Sequence, residues 1–220
     1  MQRFFDIVLS SLALVVLMPV FVLIILILRF TGEGEVFFIQ DRIGLGKKPF
    51  KLFKFATMVK NSSNLGSGDI TVNNDPRVLP FGKFLRKTKL NEFPQIINVF
   101  LGSMSVVGPR PLTKKVFGYY TLSQQNQIAE LKPGLTGIGS IFFRDEERFL
   151  NRNTDPEKFY MENISPYKAE LEIWYSRNNS IRNYFLLILL TIYSIINPES
   201  DLHFRVLKKL PAPPRVFLNQ

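Results

Sequence analysis

The chain has 220 residues, and 28 Lys and Arg against 18 Asp and Glu give it a formal net charge of +10. It contains no cysteine and a single histidine, His203. These counts exclude disulfides, thiolate nucleophiles and Cys-ligated metals, and they argue against a Ser-His-Asp triad or a multi-histidine metal site. Any chemistry must therefore use carboxylates, Lys and Arg side chains, hydroxyl groups or a hard cation.

The longest apolar segment runs from Ile7 to Leu28 without a charged residue and is interrupted only by two serines and Pro19. About 20 such residues can cross a bilayer as a helix, so we expect residues 1–30 to insert into a membrane. A cleaved signal peptide is the alternative, but the run is long for one and no small-residue cleavage site follows it. Pro19 either kinks a spanning helix or breaks it so that the chain returns to the same face; the residue pattern alone favours spanning.

The basic residues that follow this segment predict its orientation. Because cytoplasmic flanks carry the excess of positive charge, the globular part is expected in the cytoplasm. The positions concerned are Lys47, Lys48, Lys51, Lys54 and Lys60.

Short strands are predicted at Val36–Ile39 and Phe50–Met58, joined by a hairpin-like loop with Gly44, Gly46 and Pro49. Residues 61–75 read as an irregular loop of the kind that often covers a site, and Phe81–Lys89 as a short basic helix. Helices outnumber strands along the chain, so the fold class expected is helix-dominated α+β.

The segment Leu90–Gly102 has apolar residues at helical spacing. Asn91 suits the N-cap, Pro94 is tolerated in the first turn, and Gly102 suits the C-terminal stop. Glu92 would then stand at the positive end of a helix, where a carboxylate stays ionised and anions are attracted.

Towards the C-terminus, Ser165-Pro166 is expected to open a helix, and Tyr184–Ile196 forms an apolar helix too short to span, with Ser180 as its N-cap. A helix that is apolar nearly all round lies either in a core or in a membrane interface, and beside an anchored basic domain the interface is favoured. The tail after Asp201 is predicted to be extended.

Charged residues gather around the start of the Leu90–Gly102 helix: Arg86, Lys87 and Glu92, with Arg110 after the next turn. Two arginines can hold phosphate oxygens, and one carboxylate can bind Mg²⁺ that bridges a diphosphate. The plainer interpretation is that Glu92 only complements the helix dipole while the basic residues contact solvent or lipid headgroups. The residues alone leave both open.

The run FLRKTKLNEFPQIINVFLGSMSVVGPRPL resembles the signature of the bacterial monotopic phosphoglycosyl transferases, the polyprenyl-phosphate sugar-1-phosphate transferases. The other motifs occur in the family's order: an N-terminal apolar run with a central proline, FFIQDRIGLGKKPFKLFKF, NDPRVLPFGKFLR and KPGLTG. The resemblance covers Met1 to about Asn197.

This resemblance implies a Mg²⁺-dependent enzyme on the cytoplasmic face of the bacterial inner membrane. It would transfer sugar-1-phosphate from a UDP-sugar to undecaprenyl phosphate and release UMP, the first membrane step of polysaccharide or glycoconjugate assembly, with downstream glycosyltransferases as further partners. It also implies a re-entrant helix broken at Pro19, reversing the preference for spanning. The domains expected are this helix in residues 1–30, a catalytic domain with interfacial helices in 31–200, and a tail in 201–220.

The family's catalytic pair is Asp-Glu, but this chain has Asn91-Glu92. Because an amide is not a competent nucleophile, three readings stay open: Glu92 takes over as nucleophile, the lipid phosphate attacks directly, or the chain is inactive. By the resemblance, Glu92 also holds Mg²⁺, Arg86 and Arg110 bind phosphate, and Lys54 does so as a weaker match.

The family's usual stretch after KPGLTG is replaced here, and an acidic cluster, Asp145–Glu147, follows. It could supply the missing carboxylate, but a solvated helix start is the favoured interpretation. The competing function is a catalytically impaired membrane scaffold that recruits glycosyltransferases. Nucleic-acid binding is not expected, because the sequence has no reading motif and anionic headgroups account for the positive charge.

Overall fold

The computed structural model describes residues 1–60, 62, 75–150, 153–198 and 200–218. Most of the loop expected at residues 61–75 lies outside the described residues. The described part is helix-dominated α+β, as predicted. Its elements are α1 Gln2–Phe30, β1 Phe37–Ile43, β2 Pro49–Phe55, α2 Pro80–Lys87, α3 Gln95–Leu101, β3 Ser105–Val107, α4 Lys114–Phe117, α5 Leu122–Ile128, β4 Gly134–Thr136, α6 Ile138–Phe142, α7 Glu146–Leu150, α8 Pro156–Phe159, α9 Ser165–Arg177, α10 Ile181–Ile196, α11 Leu202–Val206 and α12 Arg215–Leu218.

Helix α1 is long and apolar enough to cross a membrane. The helix break that the family resemblance implies at Pro19 is absent: α1 continues through the proline as one helix. A proline removes only one backbone donor, and the turns on either side keep their own hydrogen bonds. The middle of α1 is exposed at Leu12, Val15 and Met18, whereas residues near both of its ends are buried.

Polar contacts hold the N-terminal end of α1 on the rest of the protein. Arg3 donates hydrogen bonds to the Val99 and Phe100 carbonyls of α3, at 2.6 and 2.7 Å. Asp6, 2% exposed, accepts bonds of 2.9 Å from the Ser105 hydroxyl, the Val106 N–H and the Tyr184 hydroxyl. A buried carboxylate is tolerated here because three donors satisfy it.

The C-terminal half of α1 packs by apolar contacts instead. Phe21, Ile24 and Leu28 are buried in a cluster with Phe55 of β2 and Leu85 of α2. The two ends of α1 are therefore both fastened to the same globular unit.

Strands β1 and β2 form the predicted antiparallel hairpin, with Phe37 opposite Phe55 and Ile43 opposite Pro49. After the hairpin, Asp75 and Arg77 form a buried ion pair in which Arg77 Nη2 lies 2.6 Å from Asp75 Oδ2. Arg77 also donates to the Ser62 carbonyl, so it links residues 62 and 75 just ahead of α2.

The VVGPRP and KPGLTG motifs pair with each other as the parallel strands β3 and β4, which the sequence did not predict. The approach is very close, since a Cβ on Gly134 would lie 2.1 Å from the Gly108 nitrogen. Only glycine fits at such a contact. The pairing brings the loop after β3, with Arg110, to a fixed place beside the start of α3.

Helix α3 is shorter than predicted. It begins at Gln95 after Pro94, and Asn91 is not its N-cap but belongs to a separate 3-10 turn, Leu90–Glu92. Pro94 has no N–H to donate to Leu90, which interrupts the α-helical hydrogen bonds at that point. The predicted stop is correct: Gly102 adopts φ 92, a left-handed conformation suited to glycine.

Helix α10 begins as predicted, with the Ser180 hydroxyl accepting from Asn183 N–H at 3.2 Å. One face of α10 buries Tyr184, Leu187 and Leu190 in the main core, the hydrophobic cluster that α10 shares with α6 and α9. The opposite face exposes apolar side chains. The exposed residues are Phe185, Leu189, Ile192, Tyr193, Ile195 and Ile196.

The prediction that the tail is extended is wrong in part. It contains α11 and α12, and Leu207 and Phe217 are buried in the main core. The tail folds back because its apolar side chains gain burial among the aromatic residues around Tyr167, whose hydroxyl donates to the Pro211 carbonyl at 2.9 Å.

Candidate active site

Glu92 lies at the end of the 3-10 turn that precedes α3. Its Oε1 is 3.3 Å from Nη2 of Arg110, with side-chain exposures of 22% for Glu92 and 40% for Arg110. Lys89, just before this turn, adopts a left-handed φ of 60°, a conformation that costs free energy for a non-glycine residue and is often kept at functional sites. The turn and the loop after β3 together bring the acid and the guanidinium into contact.

The Glu92 carboxylate is ionised at neutral pH. Burial acts to raise its pKa, but the positive charges of Arg110 and Lys54, followed by Lys89 and Arg42, outweigh burial and lower the pKa to about 2. Glu92 therefore keeps its charge through the whole physiological range.

Asn91 lies next to Glu92 in the same turn and is 8% exposed. Its Oδ1 is buried and has no hydrogen-bond partner among the described residues. A buried amide oxygen without a partner is costly unless something binds it, so this atom is available to a ligand.

Lys54, near the end of β2, is perturbed in the opposite direction from Glu92. Burial first, and then the positive charge of Arg42, lower its pKa to about 7. Glu92 partly offsets this shift, while Arg110 and Arg86 add to it. Lys54 is thus poised to exchange a proton near neutrality, and its ammonium form would bind an anion.

One cavity of about 970 Å³ joins these side chains. Every site residue proposed from the sequence other than Pro19 lines it, namely Lys54, Arg86, Asn91, Glu92 and Arg110. The tertiary structure therefore brings together residues that lie up to 56 positions apart in the chain. Sequence reasoning did not select Arg42, which also lines the cavity and donates to the Pro111 carbonyl at 3.3 Å.

In contrast to the charged part of this cavity, the part formed by α10 is apolar. Ile188, Ile192 and Ile195 line the cavity, and the last two also belong to the exposed apolar residues of α10, at 52% and 57% exposed. The α10 wall is fixed by a 2.7 Å hydrogen bond between the hydroxyls of Thr136 and Thr191. The cavity is therefore charged at one part and continuous with an exposed apolar face at another.

A buried carboxyl supports Arg110 from behind. Glu172 of α9 is 2% exposed, and its Oε1 accepts the Arg110 backbone N–H at 3.2 Å. Burial raises the Glu172 pKa to about 7. Sequence reasoning missed Glu172, because α9 gives no signal that this position faces the loop after β3.

The acidic cluster is not simply a solvated helix start. Asp145 is exposed, but the Glu146 carboxylate forms an ion pair with Lys168 of α9 and lines the cavity. The prediction is wrong for Glu146 because the buried ammonium of Lys168, 1% exposed, needs a counter-charge.

Comparison with known proteins gives the family. The profile of the bacterial sugar transferases matches residues 1–198. The chain belongs to the bacterial sugar transferase family. It is 34% identical over 165 residues to the exopolysaccharide production protein ExoY of Rhizobium meliloti, covering 69% of this chain and 73% of the relative.

Two longer relatives carry names that describe a reaction. The UDP-glucose:undecaprenyl-phosphate glucose-1-phosphate transferase of Escherichia coli is 36% identical over 178 residues, which is 80% of this chain and 37% of the relative. Its namesake from Xanthomonas campestris is 39% identical over 171 residues, covering 76% and 35%. This sugar transferase thus spans about three quarters of ExoY and little more than a third of these two relatives.

Proposed function

We propose that this sugar transferase moves sugar-1-phosphate from a UDP-sugar to undecaprenyl phosphate at a membrane surface and releases UMP. The observation that carries the proposal is the single cavity in which Glu92, Arg110, Arg86 and Lys54 meet beside an exposed apolar face. An acid with three basic neighbours suits a diphosphate, and an apolar rim suits a prenyl lipid. The names of the relatives point to the same pair of substrates.

Glu92 is the proposed nucleophile, because the Asn91 amide cannot attack phosphorus. A carboxylate oxygen of Glu92 forms a bond to the sugar-bearing phosphorus while the bond from that phosphorus to the bridging oxygen breaks, and UMP leaves with the electron pair. An oxygen of undecaprenyl phosphate then attacks the same phosphorus and displaces Glu92. The products are a polyprenyl-diphosphate sugar and the free carboxylate.

The basic residues hold the diphosphate in place for this displacement. Arg110 contacts Glu92 directly, so it can bind a phosphoryl oxygen at the atom where attack occurs. Lys54 and Arg86 line the same cavity and supply further positive charge for the oxygens that become more negative in the transition state.

Mg²⁺ fits the residues present, although no group of three or more His, Asp or Glu ligands occurs in the part of the chain that the structure describes. Mg²⁺ is commonly held by one or two protein oxygens, substrate phosphates and water. Glu92 and the unpartnered Asn91 Oδ1 would hold it. When bound, the ion would neutralise charge on the diphosphate.

The proposed topology places both ends of α1 on the cytoplasmic face of the bacterial inner membrane, so the segment is re-entrant although α1 is continuous through Pro19. A 29-residue helix is about 43 Å long, yet Arg3 near one end and Leu28 near the other both contact the same globular unit. A straight crossing of the bilayer would separate these ends by a membrane thickness. The exposed apolar middle of α1 would then dip into the lipid.

The absence of cysteine makes a direct topology test possible. We expect Gln2→Cys, Thr31→Cys and Lys48→Cys, each made alone, to react with a membrane-impermeant maleimide from the same side of sealed vesicles. Lys48 serves as the reference for the globular part. Labelling of Gln2→Cys only from the opposite side from Lys48→Cys would show a spanning helix instead.

The activity is tested with purified protein in nanodiscs, a panel of UDP-sugars, undecaprenyl phosphate and Mg²⁺. We expect UMP release that requires the lipid for continued turnover, its loss in Glu92→Gln, and a phosphosugar adduct on Glu92 by intact-mass and peptide mapping. No UMP release with any UDP-sugar would refute the proposed function. Full turnover without any adduct would leave the reaction but assign it to direct attack by the lipid phosphate.

The scaffold alternative is not favoured, because a scaffold does not need an ionised acid and three basic residues around one cavity. It predicts that glycan output in cells survives Glu92→Gln. The enzyme predicts that this output is lost.

A further inference from the structure

The cavity contains a second charged group that the proposed phosphoryl transfer does not use. Glu146, Tyr160 and Lys168 line it together with the catalytic residues. Lys168 is 1% exposed and pairs with Glu146, whose side chain is 24% exposed. The Lys168 ammonium also donates to the Tyr160 hydroxyl at 3.3 Å and lies 5.0 Å from the centre of the Phe143 ring. Glu146 is thus anchored by a buried cation while part of it stays open to the cavity.

This group lies within electrostatic reach of the reaction centre. Glu92 foremost, and Glu146 and Tyr160 after it, raise the pKa of Arg110. Arg110 therefore contacts the attacking carboxylate and lines the same cavity as the Glu146 group, whose charge reaches it. A ligand whose phosphoryl group contacts Arg110 occupies the cavity that both carboxylates line.

The charge of Glu146 selects which part of the donor it can face. A fixed carboxylate repels phosphate oxygens but accepts hydrogen bonds from neutral hydroxyls. The sugar carries such hydroxyls and is bonded to the very phosphorus that Glu92 attacks, whereas the uridine lies one phosphate further away. The Glu146 group of the same cavity therefore matches the sugar.

We propose that Glu146, held in place by Lys168 and Tyr160, is a subsite that accepts hydrogen bonds from the hydroxyls of the donor's sugar and helps to select it. This inference rests on the proposed function, because it takes the donor to be a UDP-sugar. It also gives a role to an acidic residue outside the motifs of the family resemblance.

The test compares the affinity for a UDP-sugar with the affinity for UDP, which lacks the sugar. The probe is whichever of UDP-glucose, UDP-galactose and UDP-N-acetylglucosamine gives the fastest UMP release with the wild type. Binding is measured by calorimetry without the lipid acceptor and in the Glu92→Gln background, where the donor binds without forming the phosphosugar adduct. In Glu146→Gln we expect the Kd of the UDP-sugar to rise at least about tenfold, the loss of a hydrogen bond to a charged acceptor. The Kd of UDP should stay unchanged. The matched control, Asp145→Asn, removes the adjacent exposed carboxylate and should change neither.

A second variant guards against unfolding caused by an unpaired Lys168. Glu146→Met combined with Lys168→Met replaces the ion pair by apolar side chains of similar size, which buried sites often tolerate. It should show the same selective loss of UDP-sugar affinity and a flatter preference among the three sugars. Equal weakening of UDP and UDP-sugar, or no change in either, would overturn the subsite. Either of these outcomes, obtained when the wild type releases UMP, leaves the proposed function standing. A wild type that is inactive with every UDP-sugar overturns the proposed function itself.

Discussion

The pH dependence of donor use should report on Lys54. Its pKa is lowered to about 7 by burial and by the charge of Arg42, with further contributions from Arg110 and Arg86 that Glu92 partly offsets. A base with a lowered pKa carries its charge below that pKa and loses it as the pH rises. If the ammonium of Lys54 binds the diphosphate, kcat/KM for the UDP-sugar must fall above pH 7.

The size of the fall follows from the pKa. With a pKa of about 7, Lys54 is about nine-tenths protonated at pH 6 and about one-tenth protonated at pH 8, so kcat/KM should drop roughly tenfold, or about 1.4 kcal/mol. The diphosphate of a UDP-sugar has no terminal phosphate group that titrates in this range. Glu172, whose pKa is raised by burial to about 7, ionises over the same interval and must be separated from Lys54.

The assay is initial UMP release at subsaturating UDP-sugar between pH 6 and 8.5, in wild type and in Lys54→Arg. The arginine stays charged throughout, so the fall should disappear, and any part that persists belongs to Glu172. In Glu92→Gln, donor binding measured by calorimetry should weaken at a lower pH than the pH at which the wild-type kcat/KM falls, because Glu92 raises the Lys54 pKa and this variant removes that effect. A flat wild-type profile, or an identical fall in Lys54→Arg, would refute the reasoning.

Three other changes have defined outcomes. Asn91→Asp should raise kcat about tenfold or more and move the phosphosugar adduct to residue 91, because its carboxylate replaces an amide whose oxygen has no partner; an unchanged rate and adduct site in mass spectrometry would contradict this. Arg77→Met should lower the free energy of unfolding by about 3–5 kcal/mol, since it leaves the buried Asp75 carboxylate without its ion-pair partner. In the same denaturation assay, Lys51→Met, which breaks the exposed pair with Asp41, should lower it by less than about 1 kcal/mol. Ile192→Ser should raise the KM for undecaprenyl phosphate while the KM for the UDP-sugar stays constant, because Ile192 lines the apolar wall of the cavity. The control is Leu189→Ser, since Leu189 is exposed on α10 but lies outside that wall. An equal effect of the two substitutions would contradict a lipid site at this wall and indicate general membrane contact.

The elements with strong local signals could be predicted from the sequence. The apolar length of α1, the hairpin punctuated by Gly44 and Gly46, and the Ser180 cap of α10 each depend on residues close together in the chain. The start of α3 was misplaced, because the competing effect, a missing proline donor, shifts a helix boundary without changing the apolar pattern. The folded-back tail was missed because the burial of Phe217 depends on partners far away in the sequence.

The residues of the candidate site likewise fall into those that the sequence predicted and those that only the structure revealed. Glu92, Arg86 and Arg110 stand in motifs that the sequence displays. The sequence by itself determined that this chain has a long apolar segment, no cysteine, and an amide, Asn91, where the family resemblance implies an acid. Only the tertiary structure decided that Glu172 supports the Arg110 backbone and that Glu146 turns from solvent to Lys168. The physical reason is that burial and charge pairing are set by residues distant in the chain, and neither the pKa of a carboxylate nor its partner can be read from its neighbours in sequence.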